Sequence, residues 1–508
     1  MARQKSEIRA ALWDEPMNAV TIGKLHIRYL LPASARSQKD RLDRVIREAV
    51  DGYLDLALAR TDVSMDEEIC IRSIRTAARV RLSGPDTMVA AAWSLAIADA
   101  VHQTISNPSL DVVLYRSRSH ALLDLVAGAT AGELGRSWAW RQMGLWRAAD
   151  TIDQIMATQE AMRALCSEPR VAVQILATLA RSNHHARTLA RLIIRASSDE
   201  WLALARAVLE VATSSVSAIL HQDDVVSASG GHMPAALFIF EHSAIARHAV
   251  PLLASERIAR PVTIALAVLA VAEIEPSALC GTAQAVRVLV GAVSGVLRSA
   301  THRSEPGRVA VPKLVKQEAM HLPDSSTPEE YPTPDPRAYA NTCGGGLLFF
   351  VDLADRLGLP NQLRDSFPGC SLRFVLHQLA IMLTAVDPND AAALAFAGLP
   401  PNSLPPSHGA EPLVGDGLAV IATARARLIM AVRERLAQRP HLEQLLALDD
   451  DALSAFVCRR NARVLADPGW VEIRFSLDDV STEIRGAGLD LDPGWVPWLG
   501  VVMRFVYA

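Results

Sequence analysis

Residues 470–507 contain two strand-like stretches, Trp470-Val471-Glu472-Ile473-Arg474-Phe475 and Val501-Val502-Met503-Arg504-Phe505-Val506-Tyr507. Apolar side chains recur at every second position in both, which is the period of a half-buried β-strand. Because isolated pairs of short strands are marginal in water, we expect these stretches to belong to a larger arrangement. They form either one sheet with strands from the N-terminal region, or one of two small sheets that close a helical middle.

Between the two stretches lies a run rich in proline, glycine and tryptophan, Pro493-Gly494-Trp495-Val496-Pro497-Trp498. Tryptophan is common at interface hot spots because one side chain buries a large area and keeps one hydrogen-bond donor. Trp495 and Trp498 are therefore a candidate docking element, with Arg485 as a candidate donor to the same partner. The alternatives are a local core for the tryptophans, and a bond from Arg485 to Asp490 or Asp492.

A second tryptophan cluster comprises Trp138, Trp140 and Trp146. The same two interpretations apply to it, an interaction surface or a local core among alanine-rich helices.

Composition indicates a folded protein, with 50% hydrophobic and 21% charged residues among 508, enough for two to four domains. The net charge of −4 gives no overall attraction to nucleic acid or anionic membranes. Arginine greatly outnumbers lysine, which is typical of a GC-rich genome. We therefore expect no nucleic-acid partner.

Cysteine usage and hydropathy favour the cytoplasm. The six cysteines form no C-x-x-C pair, so free thiols in a reducing compartment are expected. The N-terminal residues carry charge and no apolar signal-peptide core. The longest uncharged run near membrane length, residues 225–240, falls short of the ~20 residues of a membrane-spanning helix.

Periodicity along the chain predicts a mainly α protein with short β elements at both ends, an α+β class. A β-α-β-α-β domain is expected over residues 1–118, with strands at 21–31, 69–82 and 111–116. Residues 119–302 predict an all-helical domain, a bundle or an irregular solenoid, divided by prolines. Residues 303–340 are proline-rich and predict a linker. A C-terminal helical domain with the strand-like end is expected over 341–508.

We find no pattern typical of a catalytic, cofactor or metal site. Glu241-His242 and His248 do not match the H-E-x-x-H zinc pattern. Gly344-Gly345-Gly346 lacks the Lys-Ser/Thr of a phosphate loop, and Asp352 and Asp355 on the following helix are expected to be solvated. The sequence thus predicts no cofactor, no metal and no enzymatic activity, with an enzyme of unrecognised class as one alternative.

Four stretches together resemble the contractile injection system tape measure protein family, which belongs to phage-tail-like bacterial machines. They are Ile22-Gly23-Lys24-Leu25-His26-Ile27-Arg28-Tyr29 with the later Ile71-Arg72, Gly135-Arg136-Ser137-Trp138-Ala139-Trp140-Arg141-Gln142, Gly345-Gly346-Leu347-Leu348-Phe349-Phe350 through Leu357-Gly358-Leu359, and Pro497-Trp498. The resemblance implies a structural or assembly component without catalytic residues. Its expected partners are the tube, sheath, baseplate or cap proteins of such a machine.

The distribution of prolines and glycines argues against a rod-like ruler. A single helix of this length would span roughly 760 Å at about 1.5 Å per residue, and the breakers interrupt any such helix. A globular assembly factor, cap, baseplate adaptor or escort protein is expected instead. The main alternative is a helical-repeat protein–protein interaction scaffold unrelated to injection systems.

Overall fold

The computed structural model describes residues 22, 25, 27–58, 68–106, 111–149, 152–182, 186–212, 232–255, 259–303, 338–368, 370–406, 415–439 and 442–507. The chain forms two compact units. The first contains residues 1–121 and 134–147, and the second contains 122–133 and 148–508. Most of the predicted proline-rich linker, residues 304–337, lies outside the described residues.

The first unit combines helices with one small sheet. Its elements are a 3-10 turn (Ala33–Gln38), α1 (Lys39–Glu48), a π turn (Ala49–Tyr53), α2 (Leu54–Leu58), β1 (Glu68–Ile71), α3 (Asp86–Ser106), β2 (Val112–Tyr115), the start of α4 (Arg118–Ala131) and α5 (Ser137–Gln142). Strands β1 and β2 pair antiparallel. The apolar face predicted for α1 packs on α3, and Leu42, Val45 and Trp93 form the centre of this core.

Only part of the predicted β-α-β-α-β pattern forms strands. The strand expected at 111–116 is β2, but the one expected at 69–82 ends at Ile71. Of residues 21–31, those that the structure describes belong to no strand, and the others lie outside the described residues. Of the described residues, Tyr29 stacks on Trp93 of α3 with ring centroids 6.1 Å apart, and Tyr29 and Leu31 pack against the α1–α3 core.

The first part of the second unit is helical. Its helices are the end of α4, then α6 (Gln154–Ser167), α7 (Pro169–Arg181), α8 (Ala186–Arg195), α9 (Ser198–Ala212), α10 (Met233–His242), α11 (Ala244–Ser255), α12 (Arg260–Ile274), α13 (Pro276–Leu279) and α14 (Ala283–Arg303). Pro169, Pro261 and Pro276 stand in the first turns of their helices, where a missing N–H costs little. Helix α12 is buried along most of its length.

The same unit continues with shorter helices. They are α15 (Phe350–Arg356), α16 (Leu359–Ser366), α17 (Leu372–Thr384), α18 (Ala391–Phe396), α19 (Asp416–Ala437), α20 (Glu443–Leu446), α21 (Asp450–Cys458) and α22 (Thr482–Gly486). A 3-10 turn, Gly345–Phe349, leads into α15. None of the helices that the structure describes is both long and apolar enough to cross a membrane.

A five-stranded sheet completes the second unit. Its strands are β3 (Ala338–Thr342), β4 (Ala462–Asp467), β5 (Trp470–Phe475), β6 (Gly494–Val496) and β7 (Val501–Tyr507). They lie in the order β3-β4-β5-β7-β6, and only the β5–β7 pair is parallel. Two separate sheets therefore form among the described residues, and the larger one includes a strand from the middle of the chain.

The turn between β4 and β5 explains how this sheet begins. Asp467 pairs with Trp470 across a two-residue loop, Pro468-Gly469, and Gly469 has φ of +74°. Proline followed by glycine in a left-handed conformation is the sequence preference of a type II turn. The strand-like stretch quoted first is thus the second half of a hairpin.

The glycine stretch before α15 is shaped by close packing. A Cβ at Gly345 would lie 2.5 Å from Cβ of Ala462, and one at Gly346 would overlap the carbonyl of Val457. The ring of Phe349 then packs against Phe475 and Phe505 of the sheet, with centroids 5.3 and 5.1 Å away. These glycines let α15 approach the sheet, and they serve as a packing contact and not as a phosphate cradle.

Candidate functional site

Trp498 lies in the core of the second unit. Its side chain is 5% exposed, and its indole Nε1 donates to Oδ1 of Asp355 on α15 at 3.0 Å. This contact connects the proline- and tryptophan-rich segment to the helix that follows the glycine stretch. Asp355 is exposed, as expected from the sequence, and it also accepts this hydrogen bond within the fold.

Trp495 is half-buried against helices of the same unit. Its Nε1 donates to the carbonyl of Val211 at 3.1 Å, in the last turn of α9, where helix carbonyls lack intrahelical partners. The guanidinium of Arg170 lies 6.0 Å from the ring centroid. The cavity beside the ring measures about 20 Å³, which is room for about one water molecule. In this fold Trp495 packs on helices of its own unit, which is the alternative to a docking element.

Arg485 takes the intramolecular alternative. Its Nε lies 3.2 Å from Oδ2 of Asp490, and its guanidinium lies 4.8 Å from the ring centroid of Tyr507. Tyr507 donates its hydroxyl to the same carboxylate at 2.8 Å. Burial raises the pKa of the Tyr507 hydroxyl, and the hydrogen bond to Asp490 raises it further, so this phenol stays neutral and donating.

The other tryptophan cluster belongs to the first unit. Trp140 and Trp146 are each 1% exposed, with ring centroids 5.5 Å apart, while Trp138 is half-buried. In this conformation Trp140 and Trp146 contribute their area to the interior of the protein. Trp138 is the member of this cluster that keeps surface for a partner.

A buried polar network, which the sequence interpretation missed, lies at the end of α12. The Glu273 carboxylate accepts from Arg181 at 2.6 Å, from Ser243 Oγ at 2.7 Å and from the first backbone N–H groups of α11 at 3.1 and 3.2 Å. A carboxylate at a helix N-terminus is favoured by the helix dipole. The sequence signal for this network is Glu273, a single acidic residue within the apolar run of α12.

A second buried carboxylate, Glu275, lies two residues later, between α12 and α13. Its carboxylate lies near Ser371 and the backbone of Leu372, at the start of α17. Burial raises the pKa of its carboxyl, although Ser371 and the nearby Arg373 lower it in part. Arg373 in turn donates to the carbonyl of Glu273 at 3.0 Å. Together these bonds join α12 and α17, so the network is a structural connection between the helical and sheet-containing parts of this unit.

Other groups with possible chemistry are also engaged in the fold. Asp352 pairs with Arg435 at 2.7 Å and with Arg356, which corrects the expectation that it is solvated. Burial raises the pKa of the Cys70 thiol to about 11 and that of Cys458 to about 12, so both stay protonated and weakly nucleophilic. In the part of the chain that the structure describes, no group of three or more His, Cys, Asp or Glu side chains could hold a metal ion.

An open cleft of 210 Å³ lies between α16 and α19. Leu359, Leu363 and Val420 supply its apolar walls. Arg427 at its edge donates to Gln362 and to the carbonyl of Leu357, so the cation is already used to hold the two helices together.

Comparisons with known proteins give no assignment: no protein-family model matches the chain, and no curated protein or solved structure is detectably similar to it.

Proposed function

We propose that the protein is a non-enzymatic structural or assembly component of a phage-tail-like contractile injection system and acts in the bacterial cytoplasm. One observation carries the proposal: the resembling stretches of the second unit meet in one core. The glycine stretch and its helix contact the Pro497-Trp498 segment through the Trp498–Asp355 hydrogen bond. The residues that resemble the family in these stretches pack against each other, as expected if the family shares this scaffold.

The aromatic packing supports the same interpretation. Phe349 lies in the third resembling stretch, and its ring contacts Phe505 edge-on on β7, beside the Pro497-Trp498 segment. Phe475 on β5 joins this group. Such a cluster stabilises a fold and offers no chemistry.

An assembly factor, cap or baseplate adaptor suits the element lengths better than a ruler. In the described ranges the longest helix is α19, with 22 residues, or about 33 Å at ~1.5 Å per residue. A ruler depends on one long extended element.

From the resemblance, we propose tube, sheath, baseplate or cap proteins as the partners.

The test is deletion of the gene in the native strain, followed by electron microscopy of purified particles. An assembly component predicts few or incomplete particles, with normal length among those that form, and a plasmid copy of the gene should restore the yield. Particles of normal yield and structure would overturn the proposal. Particles of uncontrolled length would instead indicate a ruler.

A second arm identifies the partner. The chain is tagged at its natural locus, cross-linked in cells and purified, and cross-linked peptides are assigned by mass spectrometry. Cross-links to tube, sheath, baseplate or cap proteins support the proposal. Reproducible cross-links only to proteins outside such a machine would favour the unrelated scaffold.

A further inference from the structure

The first unit contains an extended segment, residues 72–82, that continues from β1. Residues 73–81 contain no helix, turn or bend. In its second half the even-numbered side chains face the core: Ala78, Val80 and Leu82 pack against the α1–α3 core. Thr76 donates to the carbonyl of Ala96 on α3 at 3.1 Å. This is the period of a β-strand lying on a pair of helices.

The segment is held at both ends. At its start, the backbone N–H of Arg72 donates to the carbonyl of Asp111 at 2.8 Å. At its end, Arg41 donates to the carbonyls of Leu82 and Gly84 at 2.7 and 2.6 Å and pairs with Asp86. A partner would therefore meet a backbone that is already ordered, which lowers the entropy cost of binding.

Within the part of the chain that the structure describes, the middle of the segment has an open backbone edge. Among the described residues, no backbone hydrogen bond involves residues 73–80. Unpaired N–H and C=O groups along an extended segment are a template for another strand. Such edges bind extended peptides by adding them to the sheet.

The outward side chains are strongly cationic. Arg72, Arg75, Arg79 and Arg81 are all exposed, and no acidic residue occurs in 69–85. None of the four has an ion pair within the part of the chain that the structure describes. Like charges in a row repel each other, and acidic residues across from them on a neighbouring strand would remove that repulsion.

We propose that residues 72–82 receive an extended acidic segment of a partner protein as an added β-strand. The partner's acidic residues alternate with apolar ones, so that the acids face Arg75, Arg79 and Arg81 and the apolar side chains extend the cover over α1 and α3. This inference rests on the first unit alone and does not require the proposed function.

A nucleic acid is the competing ligand for a row of arginines, and the observations favour a peptide over it. Single-stranded nucleic acids are held by stacking aromatics interleaved with the cations, and the exposed residues between these arginines are Ser73, Ile74, Thr76 and Ala77, none of them aromatic. A bound nucleic acid would also leave the N–H and C=O groups of the open backbone edge without the hydrogen-bond partners that an added β-strand supplies.

The experiment measures binding of labelled peptides to the full chain by fluorescence anisotropy. The probe is a synthetic strand of about nine residues, a usual strand length, that alternates Glu and Val. A Lys/Val strand tests charge, and a Glu/Val strand with N-methyl groups on alternate amides keeps the charge but cannot form the ladder. We expect the Glu/Val strand to bind, and we expect the affinity of each control strand to be lower by about tenfold or more.

Two sets of charge reversals locate the site. Arg75→Glu, Arg79→Glu and Arg81→Glu together should abolish binding of the Glu/Val strand and create binding of the Lys/Val strand. The matched control reverses three exposed arginines of the second unit, Arg187, Arg206 and Arg459, with the same change in net charge, and should leave peptide binding unchanged. The peptide comparison on the unaltered chain tests the proposal even where a triple variant loses its fold.

Hydrogen exchange supplies the structural readout, because strand addition must protect amides within residues 73–81 when the peptide is bound. Several results would overturn the proposal. If the N-methylated strand binds as tightly as the unmodified Glu/Val strand, charge attraction alone explains the binding and no strand is added. A single-stranded oligonucleotide binding more tightly through the same arginines would assign a nucleic acid. Concentration-dependent self-association lost in the triple variant would assign a second copy, and absence of peptide binding would remove the site.

Discussion

Two extended regions share one sequence pattern and differ in their neighbours. Strand β5 pairs with β4 on one side and β7 on the other, and Val471, Ile473 and Phe475 are buried. Ala78, Val80 and Leu82 alternate in the same way on the α1–α3 core, but residues 73–81 have no strand partner among the described residues. Alternation thus predicts an extended backbone and its inward face, whereas the presence of a partner strand depends on the rest of the fold.

The largest expected difference between these regions is in amide hydrogen exchange. Amides of β5 lie in the centre of a five-stranded sheet and should open only with global unfolding, at ~5–15 kcal/mol for a stable domain. Amides within 73–80 have no backbone acceptor among the described residues, so we expect them to exchange at nearly the rate of an unfolded chain. Exchange followed by mass spectrometry on peptides from both regions measures this contrast. Equal protection would show that the open edge is already paired in solution.

Removal of Trp498 should give the next largest effect. Trp498→Ala deletes a buried indole and leaves the Asp355 carboxylate without its donor, and we expect a loss of ~3–5 kcal/mol in the free energy of unfolding. Denaturant unfolding followed by circular dichroism measures it.

The control for Trp498 is an exposed apolar side chain of the first unit. Leu30 is 86% exposed, so Leu30→Ala should change the free energy of unfolding by ~0.5 kcal/mol or less. A Trp498→Ala variant with unchanged stability and selective loss of a partner would return this tryptophan to the role of docking residue.

Sequence patterns predicted the mainly α class, strands β5 and β7, and the apolar face of α1. They did not predict β3 or β4, although Pro468-Gly469 between apolar runs is a hairpin signal. The predicted strand at 69–82 became mostly unpaired because pairing is a long-range property. Burial of the tryptophans and of Glu273 could not be predicted either, since it depends on helices distant in the sequence.

A substitution in the closely packed glycine stretch should lower the free energy of unfolding by an intermediate amount. In Gly346→Ala the new methyl overlaps the Val457 carbonyl, a backbone atom that cannot move alone, so we expect a loss of ~1–3 kcal/mol. Gly291 lies exposed in α14 with nothing within 4 Å of an added Cβ, and Gly291→Ala should stabilise the chain by ~0.5–1 kcal/mol. Thermal unfolding of the pair measures both signs, and a neutral Gly346→Ala would show that the glycine stretch and α21 are not in tight contact.

The smallest expected effect is the difference in free energy of unfolding between removing an arginine with an ion pair and removing one that has none among the described residues. Arg485→Ala removes the pair with Asp490 and the contact with the Tyr507 ring. Because the Arg485 side chain is 59% exposed, the loss should be ~0.5–1 kcal/mol. Arg79→Ala, on the open segment, removes a cation that has no ion pair among the described residues and should be neutral or slightly stabilising, since it relieves repulsion from Arg75 and Arg81. Denaturant unfolding at low and high salt measures both, and salt should shrink the two effects toward zero. An Arg79→Ala variant as destabilised as Arg485→Ala would mean that the row of arginines already has acidic neighbours, and the open edge would lose its charge argument.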